Sequence, residues 1–330
     1  MTHKNFQAMR KDIDAAILGG EGRHFLDFHF ANHNEFAQEF IELMCVLEDL
    51  CPGAGGATVK KVSSLRGTDR ATYDQIVQAL CELIIGKRFI EAFPADEGFK
   101  LHWEPTDMGK ANPEFMLEGP KGRVLVEVKC PSLYEYETKN RTATTQLAAR
   151  LPGVKDVISD ISGTEPALPL DNKLKDFLVS AERKFSSFRD VSVPTYGLLV
   201  VCWTERMFEA VSPLSNEGCG LLTSASFYRK DEKAVQFTHV SGVITTQQQS
   251  FLKRALAGYR PSHLASDLDY GSYWKPDTPA NPVFSPNEFA KRQLPQEIID
   301  ALEAVMVGEH LDPIASEMDF VIWLQPRLRR

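Results

Sequence analysis

The amino-acid sequence predicts an α/β protein with a mixed central sheet flanked by helices. Three observations lead to this prediction: helical spacing of apolar residues in the first seventy residues, three short extended runs within 99–129, and an amphipathic helical stretch at 172–188 before an apolar run at 195–203. We divide the chain accordingly into a helical N-terminal segment (1–70), a core (71–245) and a C-terminal extension (246–330).

The composition limits the classes of protein to consider. The chain has 330 residues, 43% of them hydrophobic, and a formal net charge of −8, which is typical of a globular protein. The six cysteines are scattered without metal-binding spacing, so we expect reduced thiols and a cytoplasmic protein. The start of the chain lacks the pattern of a secretory signal, and no apolar run is long enough to span a bilayer, so we expect no membrane partner.

The N-terminal third predicts helices. Residues 34–50 carry apolar side chains at helical spacing and end before a Gly/Pro break. The alternation in "HFLDFHF" (24–30) predicts a short strand. A second long helix is predicted to begin near Thr72, because Thr72 and Gln75 have the spacing of a capping box. Glu82 and Gln78 lie one turn apart on a second side of that helix.

The next segment predicts a β-hairpin. "EFMLEG" (114–119) and "RVLVEVK" (123–129) are extended runs joined by Gly-Pro-Lys-Gly. Strand alternation places Leu125, Glu127 and Lys129 on one face, and three valines on the other. Since burying either charge alone costs several kcal/mol, Glu127 and Lys129 need each other, a metal ion or a substrate.

The same hairpin brings Glu114 beside Glu127. Two carboxylates that converge repel each other unless a cation lies between them. A small set of oxygen ligands suits Mg²⁺ or Mn²⁺, with water in the remaining positions.

Pro113-Glu114, followed thirteen residues later by Glu127-Val128-Lys129, resembles the signature of the PD-(D/E)XK superfamily, the restriction-endonuclease-like nucleases. The predicted helix that carries Glu82 resembles the helix that supplies an extra carboxylate in many members. The helix at 172–188 and the strand at 196–203 are similar to the step that follows the signature strand, so the resemblance covers roughly residues 72–205. The chain departs from the family pattern at Glu114, where aspartate is usual, and Asp107 is the alternative second acid.

The resemblance implies a metal-dependent nuclease, a phosphodiester hydrolase acting on DNA in preference to RNA. Glu114 and Glu127, helped by the backbone carbonyl of Val128, would hold Mg²⁺ or Mn²⁺. Glu82 would orient a water or bind a second ion. Lys129 would position or deprotonate the attacking water and neutralise charge on the phosphate. Lys184 is the candidate for an assisting residue on the later helix.

Three alternatives stay open. The first is a catalytically inactive nuclease fold that acts as a binding or assembly module. The second is an unrelated small-molecule-binding α/β domain. The third is that Glu127 and Lys129 form an ordinary ion pair on a strand. The acidic net charge favours a module, and the intact Glu127-Lys129 pair favours a nuclease. The sequence also leaves open whether the chain is a homo-oligomer. If the chain is a nuclease, we expect a rim of cations around the site, drawn from Lys60, Lys61, Arg66, Arg70, Lys139, Arg141 or Arg183.

Overall fold

The fold is known from a computed structural model. It describes residues 3–105, 112–134, 136, 143, 145–147, 149–188, 193–204, 206–259, 264, 266–270, 281–307 and 321–323. The helices of these ranges are α1 His3–Leu18, α2 Asp27–Ala31, α3 Glu35–Leu50, α4 Ala54–Ser63, α5 Arg70–Ala92, α6 Val154–Ser162, α7 Asp171–Phe185, α8 Phe208–Ser215, α9 Gln248–Leu256 and α10 Gln296–Ala301, with a 3-10 turn at Ala95–Glu97. The strands are β1 Lys100–Trp103, β2 Phe115–Gly119, β3 Gly122–Lys129, β4 Thr145–Leu147, β5 Thr195–Cys202, β6 Arg229–Lys230, β7 Lys233–Ala234, β8 Gly242–Thr246, β9 Val283–Pro286, β10 Val305–Met306 and β11 Val321–Trp323.

A seven-stranded sheet organises the fold, in the order β1-β2-β3-β5-β8-β9-β10. Strands β3, β5 and β8 are parallel, whereas β1, β2 and β3 form an antiparallel meander and β9 returns antiparallel to β8. The sheet is therefore mixed and has helices on its faces, which confirms the predicted α/β class. Two small two-stranded sheets, β4 with β11 and β6 with β7, lie outside it.

The hairpin that carries the predicted site is confirmed. Strands β2 and β3 pair from Phe115↔Val126 to Gly119↔Gly122. Gly122 adopts φ 126°, a conformation that L side chains rarely take, so glycine is needed where the chain turns into β3.

The two faces of the sheet belong to different cores, as the alternation in β3 predicts. Val124, Val126 and Val128 pack in the larger core with the N-terminal helices and α5. Leu125 packs in a second core beneath α7, on the face that also carries Glu127 and Lys129. The end of this second face, at the carboxyl end of β3, positions the candidate site.

Two local predictions were wrong. "HFLDFHF" contains a helix, α2, because Leu26 and Phe30 are one turn apart and both are fully buried on the core side. The cap of α5 is Asp69, whose carboxylate accepts hydrogen bonds from the backbone N–H and the hydroxyl of Thr72.

The C-terminal extension takes part in the main sheet. Its strands β9 and β10 extend the sheet beyond β8, and Ile298 and Leu302 belong to the larger core with the N-terminal helices. Among the described residues, no helix has the length and apolar character needed to cross a membrane.

Candidate functional site

Four of the residues predicted from the sequence meet at the end of β3. The Glu127 carboxylate is fully buried, and its Oε1 lies 2.6 Å from Nζ of Lys129. Its other oxygen, Oε2, accepts a 2.7 Å hydrogen bond from Nζ of Lys184, on α7. The same Lys184 ammonium lies 3.5 Å from Oε1 of Glu114. One cation therefore contacts both carboxylates, and that cation is a lysine of this chain.

The surroundings of Glu114 work against its negative charge. Burial and, after it, the nearby carboxylates of Glu82 and Glu127 raise the pKa of this carboxyl group to about 7, against the lowering effect of the Lys184 and Lys129 ammonium groups. Glu114 thus binds a proton in part of the molecules near neutral pH, which relieves repulsion among the acids.

Glu82 lies in the same charge cluster, on α5. Its Oε2 accepts a 2.9 Å hydrogen bond from Nζ of Lys61, on α4, and its Oε1 accepts a 2.7 Å hydrogen bond from the Gln78 amide. Burial lowers the pKa of Lys61, but the carboxylates of Glu82, Glu114 and Glu104 outweigh it and raise the pKa overall. Lys61 therefore stays charged beside Glu82.

Gln78 joins the helix to the strand. Besides Glu82, its amide nitrogen donates to the carbonyl of Val128 at 3.0 Å, and its amide oxygen accepts from the backbone N–H of Cys130 at 2.6 Å. These three hydrogen bonds fix Glu82 relative to the end of β3 and hold the carbonyl predicted to help bind a metal. The sequence placed Gln78 beside Glu82 but gave it no role.

Glu104 is a site residue that the sequence reasoning missed. Its carboxylate lies 3.7 Å from Nζ of Lys61, and its backbone has φ 44° immediately after β1. A non-glycine residue with positive φ is uncommon and often marks a functional position. No residue pattern in the sequence signals that conformation.

The predicted cationic rim is found only in part. Lys61 reaches the site, but Arg66 instead donates to the carbonyls of Ala16, Ile17, Gly20 and Gly22. Arg70 pairs with Asp74 on its own helix. Lys60 and Arg183 are exposed, and Lys139, Arg141 and the alternative acid Asp107 lie outside the described residues.

The oxygen atoms of this cluster differ in how well they suit a divalent cation. Within the described ranges, no group of three or more Asp, Glu, His or Cys side chains is arranged to hold a metal ion, and lysine ammonium groups lie between the carboxylates. However, buried Oε1 of Glu127 is held only by its ion pair with Lys129, without hydrogen-bond geometry, and the Val128 carbonyl keeps a second lone pair beyond its bond to Gln78. Carboxylate and carbonyl oxygens are the ligands that Mg²⁺ prefers, so the residues fit such an ion in exchange for the Lys184 ammonium.

The raised pKa of Glu114 predicts a pH dependence of stability. Because the folded value of about 7 lies above the ordinary 4.5, the contribution of this group to stability is fully present below pH 4.5 and is lost as pH rises to about 7. In EDTA, we expect the free energy of unfolding of the wild type to decrease by about 3 kcal/mol between pH 4.5 and 7. Glu114→Gln has no titrating group at this position and should not show that decrease. Denaturant unfolding of both proteins at several pH values measures the difference.

A matched control for this measurement is Glu118→Gln. Hydrogen bonds from His102 and Arg123 outweigh the small burial of Glu118 and lower its pKa, so its contribution has the opposite sign and is lost as pH falls. If wild type and Glu114→Gln follow parallel curves between pH 4.5 and 7, the assigned protonation of Glu114 is wrong.

A comparison of the chain with protein-family models, with curated proteins and with solved structures finds no match in any of the three. Its function therefore has to be inferred from the chemistry of these residues.

Proposed function

We propose that this protein is a divalent-metal-dependent nuclease that hydrolyses phosphodiester bonds of nucleic acid, with DNA preferred over RNA. One observation carries the proposal: two buried carboxylates, Glu114 and Glu127, share a cation at the end of β3, with Lys129 in contact with the second of them. Buried acids that share a cation beside a lysine form a group able to bind a phosphate ester through a metal ion.

Each residue has a separate role in the proposal. Glu114 and Glu127, with the Val128 carbonyl, would hold Mg²⁺ or Mn²⁺, which when bound supplies positive charge for a phosphate and for a water molecule. Lys129, whose Nζ lies 2.6 Å from Glu127, would position or deprotonate the attacking water and would offset the charge that develops on the phosphate. Glu82 would orient a water molecule or bind a second ion.

Lys184 changes role in this proposal. Without a metal ion, its ammonium offsets the charges of Glu114 and Glu127, which explains how two buried acids are tolerated. A divalent ion held by Glu114 and Glu127 would leave the Lys184 ammonium available to a phosphate group.

The position of Lys184 also favours the second candidate, a nuclease fold that binds or assembles without catalysis. If the lysine is a permanent replacement for the metal, the chain needs no ion to be stable and has no means of activating water. The two candidates predict opposite outcomes when a divalent ion is added.

The test is cleavage together with metal titration. We expect purified protein to cut DNA in Mg²⁺ or Mn²⁺ but not in EDTA, with less cleavage of RNA. Calorimetry should detect binding of the ion. Glu127→Gln keeps the shape of the side chain and removes its charge, so we expect the fold to survive while ion affinity and cleavage both fall.

Glu217→Gln is the matched control for cleavage, because it makes the same change at an exposed carboxylate away from the cluster. If wild-type protein cuts no DNA or RNA and calorimetry detects no ion, the nuclease proposal fails. Restoring the usual acid with Glu114→Asp is then the next variant to measure, and cleavage by that variant alone would identify the chain as a degenerate nuclease.

A further inference from the structure

A groove of about 780 Å³ runs along β1, the edge strand of the main sheet. The junction of α3 and α4 lines one side of it, including Ala54 and Ala57. Glu104 lines the groove and also contacts Lys61, the partner of Glu82. The groove and the candidate site therefore share a wall.

The lining carries basic and aromatic side chains. Lys100 is exposed, and His102 and Arg123 are both held by Glu118, at 3.2 Å and 3.3 Å, so their positions are fixed. Trp103 lines the groove with its ring stacked on Phe115, the centroids 5.7 Å apart and the planes 8° from parallel. Phe188, partly exposed, adds a second aromatic side chain. Sites for single-stranded nucleic acid combine cations along the phosphate backbone with fixed aromatic rings on which the bases stack.

Two observations argue against a duplex and against an added peptide strand as the occupant. The volume falls in the range of pockets that enclose a compact ligand, which suits a few unpaired nucleotides and not a duplex. A peptide that added a strand to β1 would need the free backbone groups of this edge. The Cys51 thiol already donates to the carbonyl of Leu101 at 3.1 Å, which blocks that pairing in the middle of the strand.

We propose that this groove binds a single-stranded end of the nucleic acid and leads it to Glu114, Glu127 and Lys129. The inference rests on the proposed nuclease function for the identity of the ligand, but the binding it predicts is measured without cleavage. The preferred substrate is then a single strand or a duplex with an unpaired end.

The experiment measures binding of a short labelled single strand by fluorescence anisotropy in EDTA, as DNA and as RNA of the same sequence, and of the same DNA annealed to its complement. Lys100→Glu reverses a charge in the groove, and Ala57→Trp fills the groove from an exposed position on α4. We expect each to weaken single-strand binding about tenfold or more. Lys233→Glu makes the same charge change at an exposed lysine outside the lining and should bind as wild type does.

The outcomes separate this inference from the nuclease proposal. Wild-type affinity in both groove variants, duplex binding as tight as single-strand binding, or no single-strand binding at all would overturn the inference. If the groove variants lose single-strand binding but wild type cuts nothing in Mg²⁺ or Mn²⁺, the groove is supported and the nuclease proposal fails. If wild type cuts and the groove variants bind and cut equally well, only the groove inference fails.

Discussion

Replacing Lys129 with alanine should lower the cleavage rate by about 10²–10⁴-fold and leave ion binding nearly unchanged, because in the proposed nuclease Lys129 would stabilise charge in the transition state and would not be an ion ligand. Its ammonium lies 2.6 Å from the Glu127 carboxylate, so it is within reach of an ion or phosphate bound there. Single-turnover cleavage and calorimetry on the same preparation measure the two quantities. A loss of ion affinity as large as the loss of rate would contradict this assignment.

Two further variants keep the test of Lys129 interpretable. Lys173→Ala removes an exposed lysine on α7 and should cut as wild type does. Lys129→Met retains the aliphatic stem and removes the ammonium, so it should fold even if the alanine variant does not. If both Lys129 variants unfold the chain, the pair with Glu127 is a structural ion bridge.

Replacing Lys184 with methionine should have the largest effect on stability. Lys184 offsets Glu127, which is fully buried, and removing one partner of a buried ion pair typically costs about 3–5 kcal/mol. We expect denaturant unfolding in EDTA to show a loss of that size. Because the competing cation is gone, calorimetry should show tighter binding of Mn²⁺, and saturating Mn²⁺ should restore most of the lost stability.

Lys173→Met on the same helix is the control for the Lys184 variant, since its side chain is exposed. Weaker Mn²⁺ binding in Lys184→Met would contradict exchange between the ammonium and the metal ion. If wild type binds no Mn²⁺ and the variant does, Lys184 is a permanent replacement for the ion, as the module candidate requires.

The parts of this site that sequence predicts are those set by local pattern. The turn at 119–122 and the alternation of β3 place Glu114, Glu127 and Lys129 together, because a hairpin register follows from its turn. The contact between Lys61 and Glu82 depends on how α4 packs beside α5, and the position of Glu104 depends on a positive φ. Neither this helix packing nor a positive φ produces a periodic pattern of residues in the sequence. In "HFLDFHF", alternation and one-turn spacing both fit the same apolar residues, and burial of Leu26 and Phe30 decided for the helix.

The place of β9 in the sheet has a consequence for synthesis of the chain. Strand β8 ends at Thr246, but its neighbour β9 begins only at Val283, and the core beneath the N-terminal helices is completed by Ile298 and Leu302. A nascent chain on the ribosome must therefore keep β8 as an open edge until the last part of the sequence emerges. Such an edge pairs readily with other chains. Premature termination after Thr246 would leave the same edge and an uncovered apolar core, so shortened products are expected to aggregate or to be degraded.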